Sequence, residues 1–223
     1  MPSLAEKAYE AIRADILACV LEPGQRTVQS ELAEKYQVGT TRIREALHRL
    51  AQDGLVEPVP RFGYIVRPVT VRDVRECYEV RCVLESEAAR LAASRGKPEL
   101  IDSLVAHANF TYVHHKKSSY PEFLSRNLDF HRSIALTARN HRLADLISDL
   151  LGEMTRVFRL KMDLKDMARE MREEHMLLAE AISSRDAARA EELAREQIAR
   201  SEERAIEAVL KAEHGLGSVE GWQ

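Results

Sequence analysis

Apolar positions recur at intervals of one helical turn along almost the whole chain, and one short stretch alternates instead. Leu4, Ala8, Ile12, Ile16 and Cys19 predict a first helix over roughly residues 4–19. The Pro-Gly turn in LEPGQ, residues 21–25, ends it. A second helix is expected at about 29–36, carrying Leu32, Ala33 and Tyr36, and Gln37-Val38-Gly39-Thr40 breaks it. The third, about 40–53, puts Ile43, Ala46, Leu47 and Leu50 on one face, and Gly54 after Asp53 supplies a left-handed stop. Two β-type runs follow, LVEPV (55–59) and YIVRP (64–68), joined as a hairpin by Pro60-Arg61-Phe62-Gly63.

Helix, helix, turn, helix and hairpin within the first 70 residues is the order of a winged helix-turn-helix. Thr70, with Asp73 three residues on, then has the pattern of a capping box. From there to about 212 the periodicity is helical throughout. Breaks fall at 94–97, 117–120, 139–141, 163–166 and 183–186, and Pro98 and Pro121 suit first helical turns. Six or seven helices of ~10–25 residues with short loops predict an antiparallel bundle. The expected fold is mainly α: a winged helix-turn-helix at 1–69, an all-helical domain at 70–212, and a frayed, aperiodic tail at 213–223.

Composition agrees. Hydrophobic residues at 45% and charged residues at 31% exclude global disorder, and a 5% aromatic share with abundant Ala, Leu, Glu and Arg favours helices. No apolar run approaches the ~18 residues that span a bilayer. The charged N-terminus MPSLAEKAYEAIRADIL is unlike a signal peptide, so a cytoplasmic protein without membrane contact is expected. Cys19, Cys77 and Cys82 are odd in number and lack metal-type spacing. They read as small buried hydrophobes of a reducing compartment.

Charge changes the picture in one place. The formal net charge is −3, yet residues 35–67 hold six basic against three acidic side chains. A local basic surface on a mildly acidic chain suggests either a polyanionic partner for that part alone or a solvated helix face. On the third helix Thr40, Thr41, Arg44 and His48 project opposite the apolar stripe, beginning at the helix N-terminus. A helix fits the major groove, where Arg bonds guanine O6 and N7 and Thr reaches a phosphate or a thymine methyl. Backbone N–H groups at a helix start favour a phosphate too. The bland alternative for Arg44 is a surface ion pair with an acid one turn away.

The stretch from Lys7 to Val66 resembles the DNA-binding domain of GntR-family bacterial transcription regulators, notably in EPGQR, SELAEKYQV, IREALHRL, DGLV and RFGYIV. The resemblance implies double-stranded operator DNA as partner, with contacts near Ser30, at Gly39, Thr40, Thr41 and Arg44, and at the wing Gly63. The family usually carries Ser-Arg-Thr-Pro-Val-Arg where this chain has Gly39-Thr40-Thr41-Arg42-Ile43-Arg44. Thr40 thus replaces a common base-reading Arg, while Arg42 supplies a cation two positions on. The departure bears on which operator is read.

The later chain resembles the all-helical FCD effector domain of the FadR-like branch, in EVRCVLESEAARLAA (79–93), NLDFHRSIALTARN (127–140) and EEHMLLAEAISSRDAARAEELAREQI (173–198). Read by residue, three apolar stripes there carry polar groups. His175 lies among Met171, Leu178 and Ile182; His131 lies among Leu124, Leu128 and Ala135, with Asn127 one turn earlier; Gln197 follows Leu193. A polar group buried unpaired costs ~1–3 kcal/mol, so these groups point to a polar cavity within the bundle. Many FCD domains bind a divalent metal through Asp-x3-His and two later His residues. The matching positions are Asn127, His131, His175 and Gln197, so two of four ligand types are amides, poor donors to Zn²⁺ or Ni²⁺. Asp129 faces elsewhere on its helix. His114 and His115 read as a solvated pair with no ligand role.

Arg81 has two readings: a structural i, i+4 pair with Glu85, or a bidentate grip on a carboxylate in the cavity. The resemblance supports the second, because related FCD regulators commonly sense small organic acids. Arg156 and Arg159 are weaker candidates of the same kind. The reading that results is a DNA-binding, ligand-responsive regulator, a repressor rather than an enzyme, acting as a homodimer and controlled by a small organic acid bound through Arg81, Asn127, His131, His175 and Gln197. Its rivals are a regulator sensing an acyl ligand in a long apolar tunnel without metal, a metal-dependent hydrolase using His131 and His175, and an architectural DNA binder without effector.

Overall fold

The computed structural model describes residues 3–217, and the chain separates into two compact units between Val69 and Thr70. In the first, α1 spans Leu4–Leu17, α2 Gln29–Tyr36 and α3 Thr40–Gln52. Helix α1 starts where the Ser3 hydroxyl accepts the Glu6 N–H at 3.1 Å, satisfying one orphan donor of the first turn. Ile12, Ile16, Leu32, Ile43, Leu47, Leu50 and Val66 meet in its core, none more than 2% exposed. Each such side chain contributes about 1.5–3 kcal/mol. Tyr9 and Tyr36 on the rim donate to Asp53 and Asp15 at 2.6 and 2.7 Å, pinning α3 and α2 against α1.

Two positions of the expected first stripe depart from it. Leu4 is 60% exposed, and α1 stops at Leu17 so that Cys19 lies beyond it in a left-handed conformation with φ 52°. All three cysteines are half-buried rather than core residues. The hairpin forms from β2 (Val56–Val59) and β3 (Gly63–Val66), with Val56 opposite Val66 and Val59 opposite Gly63. A further strand, β1 (Arg26–Thr27), pairs antiparallel with the other edge of β3. Gly54 takes φ +69° directly after α3, as its place in the sequence requires.

The second unit is helical: α4 Val71–Arg95, α5 Pro98–His107, α6 Tyr120–Thr137, α7 His141–Glu153, α8 Thr155–Leu164, α9 Ala168–Ser183 and α10 Ala187–Gly217. Thr70 and Asp73 form the capping box reciprocally, at 3.1 and 2.9 Å. Helix α4 packs against α6, α7, α9 and α10, and it buries Val74, Tyr78, Arg81, Glu85, Ala88 and Ala92 along one side. Three features differ from the periodic reading. Residues 109–116 are irregular, held inward by Phe110 and Tyr112; the Tyr112 hydroxyl accepts the Met167 N–H at 3.1 Å. A break at Met154 separates α7 from α8. Helix α10 continues to Gly217, past the expected start of the tail at 213, while 218–223 lie outside the described residues.

Gly63 opens β3 at φ +90°, and a Cβ there would stand 2.6 Å from the Thr27 carbonyl oxygen. Both the backbone sign and the β1 strand exclude a side chain. Gly63→Ala is expected to destabilise the first unit by about 1–3 kcal/mol, read as a lower urea midpoint for its unfolding.

Candidate functional site

In the first unit the arginines of α3 divide by partner. Arg42 pairs with Glu45 at 3.0 Å on the same helix. Arg49 pairs with Glu6 at 3.0 Å and lies 3.9 Å from the Tyr9 ring centroid, which ties it to α1. Among the described residues Arg44 makes no ion pair, so the surface bridge one turn away does not form. Ser30, Gly39, Thr40, Thr41, Arg42, Arg44 and His48 are all exposed, while Ile43, Ala46, Leu47 and Leu50 are buried behind them. Gly39 is the N-cap without a side-chain cap, and nothing lies within 4 Å of the place its Cβ would occupy. The Arg42 N–H already donates to the Gly39 carbonyl at 2.9 Å, which leaves the Thr40 and Thr41 N–H groups as the first-turn donors for an anion. At the hairpin tip Arg61 takes φ 68° and Phe62 is 62% exposed, with the Arg26 guanidinium 5.9 Å from its ring. The sequence places Phe62 in the hairpin turn, but nothing there signals that its ring stands exposed.

In the second unit α4, α6 and α9 bring a polar cluster into the interior. Arg81 donates through Nε to Glu85 Oε1 at 2.6 Å, and His131 Nδ1 lies 2.6 Å from Glu85 Oε2. One buried carboxylate is thus shared by two helices. Burial alone would push its carboxyl up, but the Arg81 and His131 charges and hydrogen bonds outweigh that and hold it well below the usual carboxylate range. The Arg81 guanidinium sits 4.9 Å from the Tyr78 ring and 5.5 Å from the Phe158 ring, and its Nη1 is buried without a hydrogen-bond partner.

His175 is fully buried on α9, stacked on Phe110 at 4.8 Å, tilted against Phe130 at 4.8 Å and edge-on to His131 at 5.3 Å between ring centroids. Neither of its ring nitrogens has a partner. Burial, with His131 next, keeps its imidazole well below the usual pKa and hence neutral. Asn127 is buried on α6 and lines a half-open pocket of about 250 Å³ together with Leu124, Leu128, Leu151, Thr155 and Phe158. Gln197 is buried on α10 and, among the described residues, makes no hydrogen bond to either histidine.

The predicted set is therefore gathered only in part. Arg81, His131 and His175 come together, Asn127 faces the adjoining pocket, and Gln197 is buried without a hydrogen bond to either histidine among the described residues. The donors do not fit a divalent metal. Glu85 engages His131 through Nδ1 and leaves its Nε2 free, but the other two positions are amides, and among the described residues no three His, Cys, Asp or Glu side chains converge as ligands. His131, His175 and Asn127 thus offer a Zn²⁺ or Ni²⁺ two imidazoles and an amide, with no carboxylate among them. His114, half-buried, meets the Met162 carbonyl at 3.0 Å through Nδ1, while His115 is exposed.

Residues 4–66 match the family model for bacterial regulatory proteins of the gntR family, and residues 76–200 match the FCD domain. The chain belongs to the GntR family. BphR of Paraburkholderia xenovorans (strain LB400), named an uncharacterized HTH-type transcriptional regulator, is 30% identical over 196 residues, covering 85% of this chain and 80% of its own. RspR of Escherichia coli (strain K12), named an HTH-type transcriptional repressor, is 24% identical over 186 residues, covering 83% and 82%. A GntR regulator from Rhodococcus sp. RHA1 shares the fold at TM-score 0.70 and 19% identity, covering 93% of this chain and 99% of its own. McbR/YncC of E. coli does so at 0.63 and 22%, covering 96% and 100%. This GntR protein is a DNA-binding transcription regulator with an FCD effector domain. No described helix is long and apolar enough to cross a membrane.

The orphaned His175 gives a pH signature. Its folded pKa lies below the ordinary ~6.5, so its contribution is fully present above that pH and is lost as pH falls below it. Glu85, also depressed, acts the same way but only below its ordinary ~4.3. His175→Phe fills the same aromatic cage without two unpaired nitrogens. It is expected to flatten the loss of thermal stability between pH 6.5 and 4.5 while leaving stability at pH 8 equal or higher.

Proposed function

We propose that the regulator docks α3 in the major groove of an operator, with Thr40, Thr41 and Arg44 at the bases and phosphates. Ser30, Gly39 and the wing at Gly63 then hold the backbone, and Arg42 supplies a second, partly neutralised cation. The observation that carries this is the division of the α3 arginines: Arg42 and Arg49 have acidic partners, and Arg44 stands exposed with none among the described residues. An arginine left without a carboxylate at the open end of a groove-sized helix is available for guanine or phosphate.

The second half of the reading is repression relieved or imposed by a small organic acid in the helical unit. Arg81 Nη1 and both nitrogens of His175 are buried without partners, and an acid offers acceptors to the guanidinium and a proton-sharing partner to the imidazole. The chain would act as a two-fold dimer on a pseudo-palindromic site, so a monomer would lose most affinity. Coupling between acid and DNA of about 1–3 kcal/mol would suffice for a tenfold or larger change in operator affinity. The acyl-tunnel alternative fits less well, because the polar groups cluster compactly around Glu85 and the adjoining pocket is small.

Arg44→Ala is expected to weaken binding to the regulator's own promoter about tenfold or more in a gel shift at fixed salt, with its thermal melt unchanged. Wild-type affinity in that variant would remove Arg44 from the interface.

A further inference from the structure

One buried cation has no place in the cluster around Glu85. Lys161 on α8 is 1% exposed, and its Nζ donates to the Ser201 hydroxyl at 2.6 Å and the Tyr78 hydroxyl at 3.1 Å. Those two hydroxyls lie 2.9 Å from each other, and both residues are buried. No carboxylate is within ion-pair distance of Lys161 among the described residues. Glu174, the acid whose charge acts on it, is already bonded to Arg200 and Arg204. A lysine is almost never fully buried unless paired, because desolvating the ammonium costs several kcal/mol. Here burial, reinforced by Arg81 and Arg204, drives its pKa well below the usual lysine range.

Lys161 and Arg81 flank the same two rings. The Lys161 Nζ lies 5.9 Å from the Tyr78 centroid and 4.7 Å from that of Phe158, against 4.9 and 5.5 Å for the Arg81 guanidinium. Phe158 also lines the half-open pocket that Asn127 faces, although neither Arg81 nor Lys161 is among that pocket's lining residues. Buried Arg159 adds a third cation on the same helix, with an unpartnered Nε, over Tyr120. Glu85 is the one acid in direct contact with the Arg81 end. Among the described residues neither Lys161 nor Arg159 has a carboxylate within ion-pair distance.

We propose that Lys161, Tyr78 and Ser201 form a second acid-binding subsite, so that the effector is a short dicarboxylate held between Arg81 at one end and Lys161 at the other. This rests on the acid-effector reading above and narrows it. The first carboxylate accepts from Arg81 Nη1. The second accepts from Lys161, which takes up a proton to bind it, and from the Tyr78 and Ser201 hydroxyls. Tyr78 on α4 and Ser201 on α10 then gain a common anionic partner, which joins these two packed helices to α8.

The test is calorimetric titration and thermal shift of the full chain with succinate and glutarate, against the chain-matched monoacids butyrate and valerate. Wild-type protein should bind the diacids about tenfold or more tightly than the monoacids. Lys161→Met, close in volume and uncharged, should lose that advantage while keeping the monoacid response, and Ser201→Ala should reduce it in part. Equal binding of diacids and monoacids by wild-type protein, or an undiminished diacid advantage in both variants, overturns the second subsite and leaves the acid reading intact. No response to any of the four acids overturns the acid reading itself.

Discussion

The helical unit depends on one buried carboxylate. Glu85 accepts from Arg81 on its own helix and meets His131 on α6, and neither charge could remain in that interior without the other. Removing one partner from such a pair typically costs about 3–5 kcal/mol, since the remaining charge is stranded in low dielectric. The arrangement fixes how α4 and α6 pair and which edge of each polar group is used. What it leaves over is as informative: Arg81 Nη1 and both His175 nitrogens remain unsatisfied beside it. Native interiors seldom leave such groups unpaired, and a polar guest explains them where a dry core would not.

The same logic of allotted partners organises the DNA-facing unit. Glu45 and Glu6 occupy two of the three α3 arginines, and Tyr9 stacks under Arg49, so charge that looks uniform along the sequence is structurally divided. Arg49 serves to fasten α3 to α1, and Arg44 is the cation presented outward. In the proposed reading, an acid settling among the cations of one unit and a duplex settling on the cation of the other are two instances of unmet positive charge finding an anion. Linkage makes them reciprocal: whatever the acid does to operator affinity, the operator does to acid affinity.

Much of this was legible before any coordinates. The three helices and the hairpin follow from apolar spacing and turn residues, and the Thr70–Asp73 box and the Gly54 stop announce themselves locally. The Arg81–Glu85 pair is readable at i, i+4, and so is the inward placing of Asn127, His131 and His175. The rest needed three dimensions. Strand β1 is two residues long and has no period to detect. The break at Met154 passes unnoticed because apolar spacing continues through it, and buried Phe110 and Tyr112 disguise an irregular segment as helix. Glu85 is visible as an arginine's neighbour, but its bond to His131 joins distant parts of the chain and carries no local signal. Nothing in the sequence marks Lys161 as buried, since lysines usually lie at the surface.

The central claim is that an acid lodged in the helical unit changes the grip of the first unit on DNA. It is tested most directly by fluorescence anisotropy of a labelled promoter duplex titrated with the full chain at constant salt, with and without saturating mono- and dicarboxylates. The account predicts operator curves displaced tenfold or more by at least one acid, with random duplex unaffected. Superimposable operator curves under every acid would contradict it.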